Sequence, residues 1–317
     1  MTGQCIISFD CESKWGLMDS LNDTHDQIFS SQNINQAYID ILSILKHFDL
    51  PATFAFVGAF TMSETHFRKK WLEKLRESRE HNHWLEPLYR DLGSANAQGW
   101  FAPELVQLVL DHNQRKHEVC PHGFTHLAWN NPSTQALQLE LEGIADWYAL
   151  HNILPSTFIF PRNIIANKDL LLNLDILGFR DNDMNPKASM FKNRIMQFIE
   201  EFNWNVKSAV MPENQESPIR IPGAFFLNWR HGLRKSIPAD WTIRRFEIAL
   251  NDARDRGGVV NLWTHPHNFI TGHNQKDLFN CCMELLAEKS QRGEIEVLTQ
   301  HQYIKKMPRA IASKGSA

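Results

Sequence analysis

The sequence, 317 residues long, lacks the marks of several protein classes. No apolar run approaches the roughly 18 residues of a transmembrane helix, so no membrane span is expected. The opening residues, MTGQCIISFDCESKWG, show no basic start followed by a long apolar stretch, so a secretory leader is not expected. Charge of one sign is missing as well. The 33 basic and 36 acidic side chains nearly cancel, which leaves no electrostatic footprint for nucleic acid. Cysteine is sparse: Cys5, Cys11, Cys120, Cys281 and Cys282 contain no CxxC pair and are odd in number. With no leader, such thiols fit a reducing cytoplasm, the expected location. There is no internal repeat. Tyrosine is scarce at four, whereas tryptophan is plentiful at ten; indole rings stack on sugars, but they also fill cores.

What is present suits a large globular core, with 43% hydrophobic residues. CIISFD (Cys5 to Asp10) reads as a buried strand, and ATFAFVG after Pro51 as a second. KHEVCPHG, STFIFP, a short stretch around Phe179, VVNLWTH and IEVLT supply further strands. Between them, helix spacing runs through 35–48, 67–92, 103–112, 134–150, 169–177, 246–256 and 276–292. Alternation of this kind predicts a parallel α/β fold. One domain is expected over residues 1–306, with a tail of disorder-prone composition at 307–317.

Chemically loaded residues fall just after strands: Asp10 and Glu12, His122, Pro161 and Arg162, Arg180 and Asp181, and His265. In α/β barrels the working site lies at the C-terminal rim of the strands, so five such ends point to one site. His122 and His126 are four residues apart, which on a helix would put both imidazoles on one face, toward one metal ion. Fifteen histidines give roughly one such pair by chance, so spacing alone assigns nothing.

The segment HEVCPHGFTH resembles the second motif of the polysaccharide deacetylases (NodB-type, carbohydrate esterase family 4). CIISFDCE is similar to that family's acid-rich first motif, and ATFAFVG to its second-strand signature. IFPRN matches the third motif in its Pro and Arg but not in their order. GFRDND is a loose version of the fourth, and VVNLWTHPHN resembles the last, which carries a His-Pro step. The match runs in order over roughly residues 4–304.

The resemblance implies a single distorted, incomplete (β/α) barrel, a divalent metal ion, usually Zn²⁺, and removal of an N-acyl group, most often acetyl, from an amino sugar. Two histidines and a carboxylate leave a zinc ion positive, with one position open. Water there has its pKa lowered from about 15.7 to about 7 and becomes the nucleophile. By the same resemblance Asp10 is the base, Arg162 holds Asp10 ionised and oriented, and His265 protonates the departing amine. A cytoplasmic substrate would be a nucleotide sugar, a lipid-linked intermediate or a glycan before export, as in assembly of a surface polysaccharide such as O-antigen. Asp181 and Asp183 are candidates for tuning a histidine. Arg180, Asp181 and Arg220 are candidates for substrate contacts, with Trp229 and Trp263 as stacking platforms.

Each residue has a plainer reading: a turn cap for Asp10, a surface charge for Arg162, a packed ring for His265. His267 reads as structural. Where the family commonly has two adjacent aspartates, this chain has Asp10 followed by Cys11. Strand side chains alternate, so Ile6, Ser8, Asp10 and Glu12 share one face and Cys11 points away. Glu12, His122 and His126 are therefore the expected ligands, with the Cys11 thiolate as the rival. Two other functions compete: a non-catalytic carbohydrate-binding relative, and another C–N hydrolase on the same scaffold, such as a deformylase or a cyclic amidase, some of which work without metal.

Overall fold

The computed structural model describes residues 2–22, 24–112, 116–181, 201–210, 217–222 and 224–307. The sequence-predicted candidate Asp183 and the tail beyond residue 307 lie outside them. Nine strands are present among the described residues: β1 (Gly3–Cys11), β2 (Thr53–Phe56), β3 (Glu118–Pro121), β4 (Thr157–Ile159), β5 (Gly178–Arg180), β6 (Ile219–Ile221), β7 (Ala224–Phe226), β8 (Val259–Thr264) and β9 (Ile295–Leu298). They form two sheets. The larger runs β3-β2-β1-β8-β7, with β9 also on β1, and the smaller runs β4-β5-β6. Every ladder between these strands is parallel. The parallel α/β architecture predicted from the sequence is therefore present, while the single barrel is represented by two separate ladders among the described residues.

β1 is central because both of its faces are buried and it pairs with β2, β8 and β9. Its odd-numbered side chains, Cys5, Ile7, Phe9 and Cys11, enter the main apolar core beneath the helices. Phe9 stacks on Phe54 at 4.7 Å and meets Phe279 edge-on at 5.7 Å. On the other face Ile6 packs with Ile219 and Ile221 of the smaller sheet, and Ala55, Cys120 and Ile159 make a second contact between the sheets. That period-two division explains why β1 reads as a nearly unbroken apolar run. Toward its C-terminal end the second face turns polar at Ser8 and Asp10, both buried.

Long helices at Ser31–His47, Thr134–His151, Ala239–Arg256 and Gln275–Gln291 cover the sheets. Ser30 and Ser133 cap two of them by accepting backbone N–H bonds from Asn33 and Ala136. Gly257, at positive φ, ends the third. Other expectations need correction. The helix and connection expected over 67–92 are four short helices, Glu64–Lys70, Leu72–Glu77, Arg79–Trp84 and Glu86–Gly93. Ser78, with extended ψ, breaks it, and its hydroxyl bonds instead to His81 Nδ1 at 2.9 Å. The 169–177 segment is a 3₁₀ turn, Lys168–Leu174, and the helix expected from 246 begins at Ala239. β6, β7 and the closing helix Gln300–Lys306 were not foreseen; the two strands are three residues each, too short for a period to show.

Phe9 is fully buried between sheet and helix. Phe9→Ala is expected to cost about 3–5 kcal/mol of unfolding free energy, read from urea denaturation. A loss below about 1 kcal/mol would show that this contact does not hold the core.

Candidate metal centre

Glu12 follows β1 directly and is buried. Its carboxylate lies among three imidazoles. Oε2 is 2.8 Å from His126 Nε2 and 3.4 Å from His122 Nε2, and Oε1 is 3.2 Å from His265 Nε2. Burial raises the Glu12 carboxyl, but the charges of His265 and His126 and a bond from His122 outweigh it and hold it well below the ordinary value. Space for this side chain exists because residue 16 is glycine: a Cβ there would sit 2.1 Å from Glu12 Cδ.

His122 follows β3, and its Nδ1 donates to the Ile159 carbonyl of β4 at 2.9 Å. That bond orients the ring and turns Nε2 toward Glu12. His126 lies across from it, ring centroids 4.9 Å apart. The two do not share a helix, contrary to the sequence expectation. They are joined by an irregular loop with left-handed φ at Gly123 (74°) and His126 (63°). A Cβ at Gly123 would meet Pro161 at 2.6 Å, so glycine is needed there on both counts.

Glu140, fully buried on helix Thr134–His151, holds the loop's shape, and the sequence reading missed it. Its carboxylate accepts the Phe124 N–H at 2.8 Å, the Thr125 N–H at 3.0 Å and the Thr125 hydroxyl. His81 Nε2 lies 3.2 Å away and donates to the same group. Gly143, one turn along, makes room for the Phe124 ring. A glutamate at Thr134 plus six, inside an amphipathic helix, carries no sequence signal of such a role.

Asp10 forms a two-pronged pair with Arg180 of β5, both contacts 2.6 Å. Arg180 also donates to Asn163 Oδ1 at 2.7 Å and to Ser8 Oγ at 3.2 Å, and lies over the Trp263 ring at 4.8 Å. Burial raises the Asp10 carboxyl, but Arg180, with His122 and His265, brings it below the ordinary value. The expectation that Arg162 holds Asp10 is therefore corrected. Arg162 takes a left-handed φ of 56°, which turns it outward to pair with Asp19 and lie over Trp84 at 5.0 Å. Arg180, expected to touch substrate, is instead buried and committed to Asp10. Asp181 pairs with Arg220, whose Nε donates to it at 2.9 Å, and among the described residues no histidine is hydrogen-bonded to it.

His265 follows β8 and is partly open to solvent, its side chain 20% exposed. It stacks on His267 at 4.7 Å and meets Trp263 edge-on at 5.4 Å. Trp229 is half-buried, stacks on His231 at 4.8 Å, donates to Thr271 and meets His267 edge-on at 6.2 Å. Both expected platform tryptophans thus border the site. Burial, reinforced by His265, pushes the His267 imidazole down to about 3, so it is neutral at ordinary pH.

The donor set fits a divalent ion. One ligand atom from each of Glu12, His122 and His126 lies within 4.8 Å of the others, and all three residues are buried. Both ring nitrogens of His126 are buried; Nδ1 has no hydrogen-bond partner among the described residues, and Nε2 meets Glu12 Oε2 at 2.8 Å. A buried imidazole nitrogen without a partner is costly, and a cation seated between the two rings and the carboxylate would satisfy all three. Cys11 points the other way: its Sγ contacts the Phe9 carbonyl, and burial pushes the thiol well above its ordinary range. A neutral thiol is a poor ligand.

Neither a scan of protein-family models nor a search of curated proteins finds a match. Solved structures do match. A Mycobacterium smegmatis protein assigned as a polysaccharide deacetylase is 14% identical, with a TM-score of 0.55, over 100% of this chain and 96% of that one. The allantoinase PuuE is 10% identical, with a TM-score of 0.56, over 97% and 91%. At these identities the likeness concerns the fold alone, one shared by a polysaccharide deacetylase and an allantoinase.

Gly16→Ala must displace the Glu12 carboxylate and should weaken Zn²⁺ binding by about 10–100-fold with an unchanged circular dichroism spectrum. Unaltered affinity would remove Glu12 from the ligand set. Glu140 is held below the ordinary glutamate value, because burial, which raises it, is outweighed by His81, Thr125 and the Phe124 N–H. Its folded pKa is thus the lower one, so its contribution is present above the unfolded value and is lost as pH falls through the folded value. Glu140→Gln should therefore be less stable than the native protein at neutral pH by about 1–3 kcal/mol, the gap narrowing in acid. A gap constant from pH 7 to pH 3 in urea melts would contradict this.

Proposed function

We propose that this protein is a metal-dependent hydrolase that removes an N-acyl group, most simply acetyl, from an amino sugar or sugar intermediate. The observation that carries the reading is the junction of Glu12, His122 and His126, whose ligand atoms lie within 4.8 Å of one another, beside the Asp10–Arg180 pair and the accessible His265. The fold is shared with an allantoinase as well as with a polysaccharide deacetylase, so fold alone does not choose between C–N hydrolases. Tryptophan at two edges of the site, Trp229 and Trp263, favours a sugar ring over a small planar ureide.

Glu12, His122 and His126 would hold the ion, zinc by the nitrogen-rich character of the set. When bound, such an ion acts as a Lewis acid that acidifies water and polarises the acyl oxygen. The chain's own residues do the rest. Arg180 keeps Asp10 ionised and fixes its plane, so that Asp10 takes a proton from the attacking water. As the C–N bond breaks, His265 gives its proton to the departing nitrogen. The products are a carboxylic acid and a free amine. Asp10, two residues before Glu12, supplies the base, and His265, whose Nε2 lies 3.2 Å from Glu12 Oε1, supplies the acid.

This arrangement is the reason for favouring turnover over mere carbohydrate binding. A role in making a surface polysaccharide before export, in the cytoplasm, fits the sequence and is part of the proposal. Among the described residues no helix is long and apolar enough to cross a membrane.

Chelator-treated protein should release no acetate from a panel of N-acetylated nucleotide sugars and should regain activity with Zn²⁺ or Co²⁺. Asp10→Asn should lower release by about 10²–10⁴-fold at unchanged metal content. Full activity in that variant would sink the mechanism, and hydrolysis of allantoin without acetate release would replace the substrate class.

A further inference from the structure

His267 is left over by this chemistry. A single imidazole suffices to protonate the leaving nitrogen, yet a second lies stacked on His265 at 4.7 Å with ring planes 22° apart. It is 6% exposed, and its Nδ1 has no hydrogen-bond partner among the described residues. Burying an unsatisfied imidazole nitrogen costs about 1–3 kcal/mol, which calls for an occupant.

The two oxygens of Glu12 face different ways. Oε2 looks toward His122 and His126, and Oε1 lies 3.2 Å from His265 Nε2. Glu12, His265 and His267 form a second group whose ligand atoms lie within 4.8 Å of one another, as those of Glu12, His122 and His126 do. We propose that Glu12 is shared by two cation sites, and that His265 and His267 with its Oε1 side bind a second, weaker divalent ion of borderline character such as Zn²⁺.

Three features set its properties. The ligands are two nitrogens and one carboxylate oxygen, which suits Zn²⁺ or Co²⁺ better than Mg²⁺ or Ca²⁺. The carboxylate is shared, so two divalent ions repel across it, and the second should bind at least about tenfold more weakly than the first. The second ion also takes His265, so excess metal should suppress the proton donation assigned above; this consequence, unlike the binding itself, rests on the proposed function.

Metal-free protein is dialysed against rising Zn²⁺ and its content measured. Two ions per chain are expected, in two steps of affinity. His267→Ala should remove the weaker step and His126→Ala the tighter. Surface thiols and histidines bind zinc too, so adjacency is read separately on the unaltered chain. Loaded with two equivalents of Co²⁺, it should show magnetic coupling between paired ions, by magnetic circular dichroism or electron paramagnetic resonance. At one equivalent the ions should be isolated. Saturation at one ion per chain, or two uncoupled ions, would overturn the shared site while leaving the first site and the proposed function standing. Binding of no ion at all would overturn both. Retention of the weaker step by a folded His267→Ala would also overturn the proposal.

Discussion

Glu12 carries a negative charge where the protein has removed nearly all water. Taking a lone carboxylate out of water costs several kcal/mol, and the cost is offset only by close positive charge and well-directed donors. Here His122, His126 and His265 approach its two oxygens from two strand ends and a loop. Each of those imidazoles depends in turn on something further out. The Ile159 carbonyl orients His122, Glu140 shapes the loop that carries His126, and Trp263 and His267 flank His265. The absence of a side chain at Gly16 leaves room for the carboxylate itself.

A second charge pair, Asp10 with Arg180, is built on the same logic one step back along β1. Two 2.6 Å contacts, both buried, join the larger sheet to the smaller one. The ladders of the two sheets are separate, so this pair and the His122 bond to β4 are polar ties across the gap between them. Site and architecture therefore share their bonds. A buried fork of this kind specifies one arrangement of the two sheets as well as one ionisation state for the base.

Much of this was legible in the sequence. The apolar runs of β1, β2 and β8 read as buried parallel strands, and loaded residues after them marked the rim. Strand alternation placed Glu12 rather than Cys11 on the side of Asp10, and the structure puts Cys11 among core side chains beneath the helices. The His122 and His126 pair was assigned from the motif that contains it, and the helix face considered for it is absent: their convergence comes from left-handed backbone at Gly123 and His126. Arg162 was given Arg180's role because the resemblance pointed to it, and only three-dimensional packing tells which guanidinium turns inward. Glu140 and Gly16 carry no pattern, since what matters is the space and the backbone N–H groups they meet after folding. His267 was read as structural because the His-Pro step starts at His265.

The account turns on Glu12, with nitrogen and oxygen donors and no sulfur, as the anchor of the metal. Zinc K-edge X-ray absorption on protein loaded with one equivalent of Zn²⁺ measures this directly. The expected first shell contains N/O scatterers at about 2.0–2.1 Å with the outer-shell pattern of two imidazoles. A scatterer at about 2.3 Å, the length of a zinc–thiolate bond, that is lost in Cys11→Ser would show that the chain holds its metal through Cys11 and would contradict the assignment of Glu12.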